Sequence, residues 1–320
     1  MSYNVFSLSK PGIKYVRQGF LCQDSSGSCM KNGAQIVAVA DGHGAGDCFR
    51  SEIGASIAVD TVFCKALPLL YDNTLSFSEQ GINNFKYALW QSWRKAVKKD
   101  WDSRLALGAL GENEPRYELV SEKYRLRYQN EREKYLYTAY GTTLIATIAI
   151  DKELLLMQIG DGSVAVLYAN GLFAMPIPPD NENFLNVTTS LSEENADKKI
   201  RHAVLSLDRD SENYPVAVFL SSDGLDDCFP TYQNEEYLYK FYRALIQTAL
   251  DNGNDALYDE LADNVLAEIS AKGSHDDISL GIMLTSHRKI LQKAYNEINL
   301  PQSHIEDESV EERGECDAGY

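Results

Sequence analysis

Three aspartates occur where short apolar segments rich in β-branched residues meet turns. Asp41 follows AQIVAVA, Asp223 follows VFLSS, and Asp276 stands just before the segment ISLGIML. Apolar segments of this length, bounded by turn residues, are typical of buried strands. Because the ends of adjacent strands lie within about 5 Å of one another, we expect the three carboxylates to converge at one edge of a sheet.

Converging carboxylates repel one another unless a cation neutralises them. A set of oxygen ligands without His or Cys favours magnesium or manganese over zinc. Any single Asp-Gly pair is explained more simply as a turn. Three aspartates at strand ends, one of them followed by a histidine two residues later, favour a metal site.

Composition excludes several classes of protein. The chain has 320 residues, of which 44% are hydrophobic and 24% charged, which is typical of a globular protein. Its net charge of -17 disfavours binding to nucleic acid or to an anionic membrane. The N-terminus lacks the pattern of a signal peptide, and no uninterrupted apolar segment of about 20 residues occurs, so we expect a cytoplasmic protein with no membrane partner. The six cysteines show no C-x-x-C spacing and predict neither a zinc site nor a disulfide framework.

Hydrophobic periodicity predicts two sheets flanked by helices in a single domain over residues 1–300. Residues 301–320 form an acidic tail with too little apolar surface to fold by itself. Helices are expected from Phe49 to Pro68, over Phe85 to Trp101, within the charged segment 112–137, and over residues 235–251 and 256–271. Pro68 is expected to end the first of these helices.

Three strand-like segments in the middle of the chain are separated by two short turns. The segments are 141–150, 153–160 and 163–169, and the turns contain Asp151 and Asp161. This spacing predicts an antiparallel meander of three strands. Residues 180–210 have little periodicity and are predicted to form a flap or long loop.

Four sequence blocks, in order, resemble the metal-dependent protein phosphatase family known as type 2C, in a bacterial form. They are LCQDS (21–25), VADGHGA (39–45), YGTT with QIGDGSVAV (140–143, 158–166), and SSDGLDD with SHDDISL (221–227, 274–280). DGHG alone is a modest signal, whereas the ordered set is specific. The resemblance implies an α+β fold, a four-layer α-β-β-α sandwich of two antiparallel sheets flanked by helices.

The resemblance also implies a site with two Mn²⁺ or Mg²⁺ ions. By similarity, Asp41 bridges the ions, the Gly42 carbonyl binds one, and Asp223 and Asp276 hold the other. Asp161 matches a position that can hold a third ion, and a structural turn explains it equally well. Further residues around the ligands by the same similarity are Gln23, Asp24, Asp227 and Asp277.

The activity implied is hydrolysis of phosphoserine and phosphothreonine in proteins that Ser/Thr kinases modify. A water shared by the two ions attacks phosphorus in line. His43 resembles the family's general acid, which protonates the leaving oxygen. We expect a monomer that acts in signalling.

The sequence departs from the family at two positions. Gln23 stands where many members carry Glu. Replacing a charged carboxylate by a neutral amide at this position would lower the affinity for metal. Gly19 stands where many members carry a phosphate-binding Arg, and Arg17, two residues earlier, is either its replacement or a surface charge. Two other functions remain open from the sequence: a catalytically weak module that binds phosphoproteins, and a phosphatase for a small phosphorylated metabolite.

Overall fold

Ten β-strands form two antiparallel five-stranded sheets in the computed structural model, which describes residues 3–106, 117, 120–178, 180 and 188–300. The first sheet has the order β1 (Tyr3–Lys10), β10 (Ile278–Thr285), β9 (Pro215–Ser221), β6 (Ser163–Tyr168), β7 (Phe173–Ala174). The second has the order β2 (Ser25–Lys31), β3 (Ala34–Ala40), β4 (Leu144–Ile150), β5 (Glu153–Ile159), β8 (Arg201–Ser206).

Strand β3 shows why the two sheets pack face to face. All seven of its residues are buried. Val37 and Val39 pack into the core between the sheets, while Ile36 and Ala38 pack into the core beneath the helices. Alternate side chains of a strand point to opposite faces, so a strand covered on both faces is largely apolar, and Gln35 is the one polar residue of β3.

Helices cover the outer face of each sheet. Those on the second sheet are α2 (Ser51–Tyr71), α3 (Glu79–Ala106), α4 (Glu122–Asn130), α5 (Arg132–Tyr135) and α6 (Ala196–Lys199). Those on the first are α7 (Asp223–Asp226), α8 (Asn234–Asn252), α9 (Asn254–Glu260), α10 (Leu266–Lys272) and α11 (Arg288–Glu297), and a short helix α1 (Ile13–Gln18) contacts α10. The predicted four-layer sandwich is therefore confirmed.

The prediction that Pro68 ends its helix is wrong, because α2 continues to Tyr71. Pro68 lies in the last turn, where its missing N–H removes one hydrogen bond and its own carbonyl still accepts from Asp72 N at 3.0 Å. Length and composition alone would let α2 cross a membrane. It lies instead between α3 and the second sheet, with Ala55 and Val62 buried.

The predicted meander is also wrong at its third strand. Strands β4 and β5 form the expected hairpin, but β6 pairs with β9 and β7 in the other sheet. Residues 160–162 therefore carry the chain from one sheet to the other, with Gly160 at φ 106°. A left-handed φ of this kind is readily adopted only by glycine. The crossover places Asp161 where the two sheets meet.

Part of the predicted flap, residues 180–210, is regular structure. Residues 196–199 form α6, and β8 pairs with β5 along its length. This segment alternates half-buried and exposed residues and forms the edge of its sheet, so its apolar signal is weak. Strands β1 and β2 and helices α1 and α11 had no sequence prediction. The acidic tail, 301–320, lies outside the described residues.

A buried ion pair joins α2 and α3 behind the loop that follows β3. The side chain of Arg50 is 1% exposed, and its guanidinium donates to Asp100 Oδ2 at 2.5 Å and to Tyr140 Oη at 2.8 Å. The Tyr140 hydroxyl donates to the same Asp100 oxygen at 2.5 Å. A charge at this depth is tolerated because it is paired and hydrogen-bonded.

We predict that Asp100→Ala lowers the free energy of unfolding by roughly 3 kcal/mol, because it removes the charged partner of a buried guanidinium. Asp102→Ala is the matched control on the same helix, since Asp102 pairs with Lys98 at the surface. Asp102→Ala should lower the free energy of unfolding by less than about 1 kcal/mol. Urea unfolding of the three proteins measures both effects, and equal losses would contradict a structural role for the buried pair.

Candidate metal centre

The three strand-end aspartates come from both sheets. Asp41 follows β3 of the second sheet, whereas Asp223 follows β9 and Asp276 precedes β10 in the first sheet. The sequence predicted one edge of a single sheet, and the structure places the group at the junction of the two. A side chain at Gly281 of β10 would lie 2.5 Å from Val37 of β3, so the strands approach closely.

Backbone contacts fix the position of Asp41. Its N–H donates to Thr143 Oγ1 at 3.0 Å, and its carbonyl accepts from Thr143 N at 2.8 Å and from Thr142 Oγ1 at 2.7 Å. A Cβ at Gly42 would lie 2.5 Å from the Gln23 carbonyl oxygen and 2.8 Å from that of Ser51. Any larger residue at Gly42 would therefore displace the chain that carries Asp41.

The carboxyl groups of Asp41 and Asp223 lie close enough for each to influence the pKa of the other. Asp223 is the first residue of α7, and its carbonyl accepts from Asp227 N at 2.7 Å. Asp276 has different partners: one carboxylate oxygen accepts from Asp277 N at 2.9 Å, and the other lies 3.9 Å from Lys14 Nζ. Within the part of the chain that the structure describes, no three Asp, Glu, His or Cys side chains form a ready metal-binding group.

Burial and mutual repulsion disfavour the charged forms of these carboxyl groups. Burial, reinforced by Asp24 and Asp223, raises the pKa of Asp41 well above its ordinary value. Burial and the charge of Asp277 raise the pKa of Asp24 to about 8. Burial likewise raises the pKa of Asp223. A divalent cation would relieve this repulsion, and oxygen donors are what Mg²⁺ and Mn²⁺ prefer, so the residues present fit such ions.

The remaining predicted residues around the ligands differ in their surroundings. Asp277 accepts backbone N–H groups from Gly12 at 2.7 Å and Gln23 at 2.6 Å, and so ties two loops to the start of β10. Asp24 accepts from the Ser222 hydroxyl at 2.8 Å. Asp227 is exposed.

Gln23 has one buried polar atom without a partner. Its side-chain oxygen accepts from Ser51 Oγ at 3.2 Å, whereas its amide nitrogen has no hydrogen-bond partner among the described atoms, although the residue is only 2% exposed. Such an orphaned donor is uncommon in a protein interior. It lies where many members of the resembled family carry a carboxylate.

Asp161 lies at the crossover between the sheets and accepts a hydrogen bond from the Thr188 hydroxyl. It also lines a cavity of about 710 Å³ together with Asp226 and Arg201. Sequence reasoning missed Asp226, whose pKa burial raises to about 8 and which accepts from Ser163 and Ser221 hydroxyls at 3.0 Å. Its position in the block SSDGLDD was the available signal.

His43 lies beside Asp41 and is held through its backbone. Its N–H donates to the Gly141 carbonyl at 3.0 Å. Burial lowers the pKa of the imidazole, and the carboxylates of Asp161, Glu193 and Asp47 oppose that shift. The histidine therefore faces a negatively charged environment from several segments of the chain.

Of the two cations in α1, Lys14 rather than Arg17 pairs with an aspartate of the candidate centre. Lys14 Nζ lies 3.9 Å from Asp276 and donates to the hydroxyl of the buried Tyr15 at 3.3 Å. Arg17 lies one turn further along α1 and is exposed. Sequence analysis did not predict α1, and without that helix the positions of the two cations relative to the aspartates were undetermined.

A protein-family model described as "Protein phosphatase 2C" matches residues 12–266 of the chain. The matched range contains Asp24, Asp41, Asp161 and Asp223 and ends before Asp276. No curated protein matches the sequence significantly. The family match thus covers all of the candidate centre except the turn before β10.

Two solved structures share the fold at low sequence identity. The catalytic domain of the serine threonine protein phosphatase PstP, in complex with two manganese ions, is 15% identical, with 88% of this chain and 97% of that chain covered and a TM-score of 0.50. The S. agalactiae serine/threonine phosphatase is also 15% identical, with 89% and 100% covered and a TM-score of 0.50.

We predict that Asp223→Asn is at least as stable as the parent in EDTA, because it removes one of the repelling buried charges while keeping its shape. Manganese should stabilise the parent by about 2.7 kcal/mol at about 100 times its dissociation constant, and the variant by only a fraction of this. Thermal unfolding with and without manganese measures both effects. An unchanged manganese response in the variant would make Asp223 a turn residue.

Proposed function

The chain belongs to the protein phosphatase 2C family, and we propose that it hydrolyses phosphoserine and phosphothreonine in proteins through a centre of two divalent metal ions. Family membership supports a protein phosphatase. The residue specificity and the two-metal mechanism are our proposals. The observation that carries the metal centre is the group of mutually repelling, partly buried carboxyl groups at the junction of the sheets.

Each metal ligand has a role in this proposal. Asp41, the Gly42 carbonyl, Asp223 and Asp276 would hold the two ions, and Asp161 would be available to a third. Manganese or magnesium suits the oxygen donors, and PstP, which shares the fold, is in complex with two manganese ions. When bound, such ions supply an activated water and neutralise the phosphoryl oxygens.

Two side chains of the protein act on the substrate in this proposal: one protonates the leaving oxygen and the other binds the phosphate. His43 protonates the seryl or threonyl oxygen, which would otherwise leave as a poor alkoxide. An incoming phosphate dianion favours the imidazolium form, which counters the effect of burial on the pKa of His43. Lys14, whose side chain is 50% exposed beside Asp276, offers an ammonium group to the phosphate.

The substrate in this proposal is a phosphorylated protein, as in the family that the chain belongs to. That a Ser/Thr kinase modifies this substrate, that the phosphatase is a monomer and that it is cytoplasmic remain predictions from the sequence.

We expect the metal-free protein to be inactive on a phosphothreonine peptide and to regain activity with manganese or magnesium. Release of phosphate from phosphoserine and phosphothreonine peptides, from sugar phosphates and from nucleotides should be measured in parallel. Full activity after exhaustive EDTA treatment would contradict the metal centre. Preference for a small phosphate ester would contradict the proposed substrate, and inactivity on every ester with metal present would favour a binding module.

His43→Ala should slow turnover of a phosphothreonine peptide by about 100-fold, because the leaving oxygen then lacks its proton donor. The loss should be smaller with para-nitrophenyl phosphate, whose leaving group needs little protonation. His287→Ala is the control, since His287 lies beyond the opposite end of β10 from Asp276. Equal losses on the two substrates would exclude a general acid role for His43.

At saturating manganese, Lys14→Ala should raise the Michaelis constant for a phosphopeptide more than it lowers turnover, as expected for a contact to the bound phosphate. Arg17→Ala, on the same helix, should leave both constants near those of the parent because Arg17, unlike Lys14, forms no ion pair with the described aspartates. Steady-state kinetics separates the two constants. The reverse result would return the phosphate contact to Arg17.

A further inference from the structure

The turn before β10 is tied to α7 by one hydroxyl group. Ser274 Oγ donates to the Gly224 carbonyl at 2.7 Å and accepts from the Asp276 N–H at 3.3 Å. Gly224 directly follows Asp223. The hydroxyl therefore contacts the backbone next to one candidate metal ligand and the backbone of another, without touching either carboxylate.

Close packing surrounds this hydroxyl on the side of α7. The Cys228 thiol also donates to the Gly224 carbonyl, at 3.1 Å, and its sulfur lies 3.3 Å from Ser274 Oγ. A Cβ at Gly273 would lie only 2.7 Å from Cys228 Cα, so the turn approaches α7 as closely as backbone allows. This proximity lets a side chain as short as serine span the gap.

The shape of the turn itself depends on other contacts. His275 has φ 61°, in the left-handed region, and its N–H donates to the Ser270 carbonyl at 2.8 Å. The Ser270 hydroxyl donates to the Asp276 carbonyl at 2.8 Å. Loss of the Ser274 hydroxyl would therefore leave the turn attached to α10 while removing its hydrogen bond to the Gly224 carbonyl of α7.

We propose that Ser274 is a positioning residue that sets the separation of the Asp223 and Asp276 carboxylates for metal binding. The inference rests on the proposed function, since it concerns the same pair of ligands. Groups that orient metal ligands typically change metal affinity by 10- to 100-fold when they are removed. We therefore expect loss of the hydroxyl to weaken manganese binding by about 10-fold.

Calorimetric titration of the metal-free full chain with Mn²⁺ alone tests the proposal without an activity assay. Ser274→Ala removes the hydroxyl, and Ser274→Thr retains it. Ser274→Val has nearly the volume of Thr without the hydroxyl, so the Thr and Val variants form a matched pair if the Ala variant folds poorly. Ser211→Ala is the control, because Ser211 likewise accepts the N–H two residues later, from Asn213 at 3.1 Å, but precedes the opposite end of β9.

The proposal predicts a dissociation constant about 10-fold higher in the Ala and Val variants, with Thr and Ser211→Ala near the parent. Equal weakening by Thr and Val would overturn it, since volume and not the hydroxyl would then matter. Parent-like binding by Val or Ala would also overturn it while leaving the metal centre intact. Failure of the parent itself to bind Mn²⁺ would instead overturn the proposed function.

Discussion

Repulsion among buried carboxyl groups is the constraint on which the candidate centre depends. Asp24 is buried and Asp41 and Asp223 are half-buried, and burial raises the pKa of each. Such a group persists in a folded protein only if neighbouring donors, protons or cations offset the repulsion. Here the Ser222 hydroxyl donates a hydrogen bond to the Asp24 carboxylate, and two backbone N–H groups donate to the Asp277 carboxylate. Hydrogen-bond donors at the junction of the sheets thus stabilise carboxylate charges that the apolar core of the sandwich would not stabilise.

Close approach of backbone segments brings these groups together. A Cβ at Gly42 would meet the Gln23 carbonyl, one at Gly224 would lie 1.9 Å from the Asp277 carbonyl oxygen, and one at Gly12 would lie 2.4 Å from the His275 carbonyl oxygen. Each contact joins a loop that carries a candidate ligand or its support to another such loop. The same close packing lets the Ser274 side chain link the segment that carries Asp223 to the segment that carries Asp276.

Local patterns predicted the elements whose burial is complete. Strands β3, β9 and β10 are mostly apolar and buried along their whole length, and they lie within a residue or two of their predicted bounds. The helical repeat from Phe85 to Trp101 was also correct, because i+4 spacing places one face against the core. The edge strand β8 escaped prediction, since one covered face gives half the apolar signal. Asp161 was interpreted as a hairpin turn because turn residues do not encode which sheet the next strand joins.

The sequence by itself determined the chemical nature of the centre: aspartates at strand ends, a histidine two residues after Asp41, and a family pattern that fixed their order. These properties are local, because the burial of a strand and the type of a turn can be predicted from a few consecutive residues. Only the tertiary structure decided that Asp41 and Asp223 approach each other from different sheets, that Lys14 rather than Arg17 pairs with Asp276, and that Ser274 links the segments that carry Asp223 and Asp276. These features depend on contacts between residues distant in the chain, which no local pattern specifies.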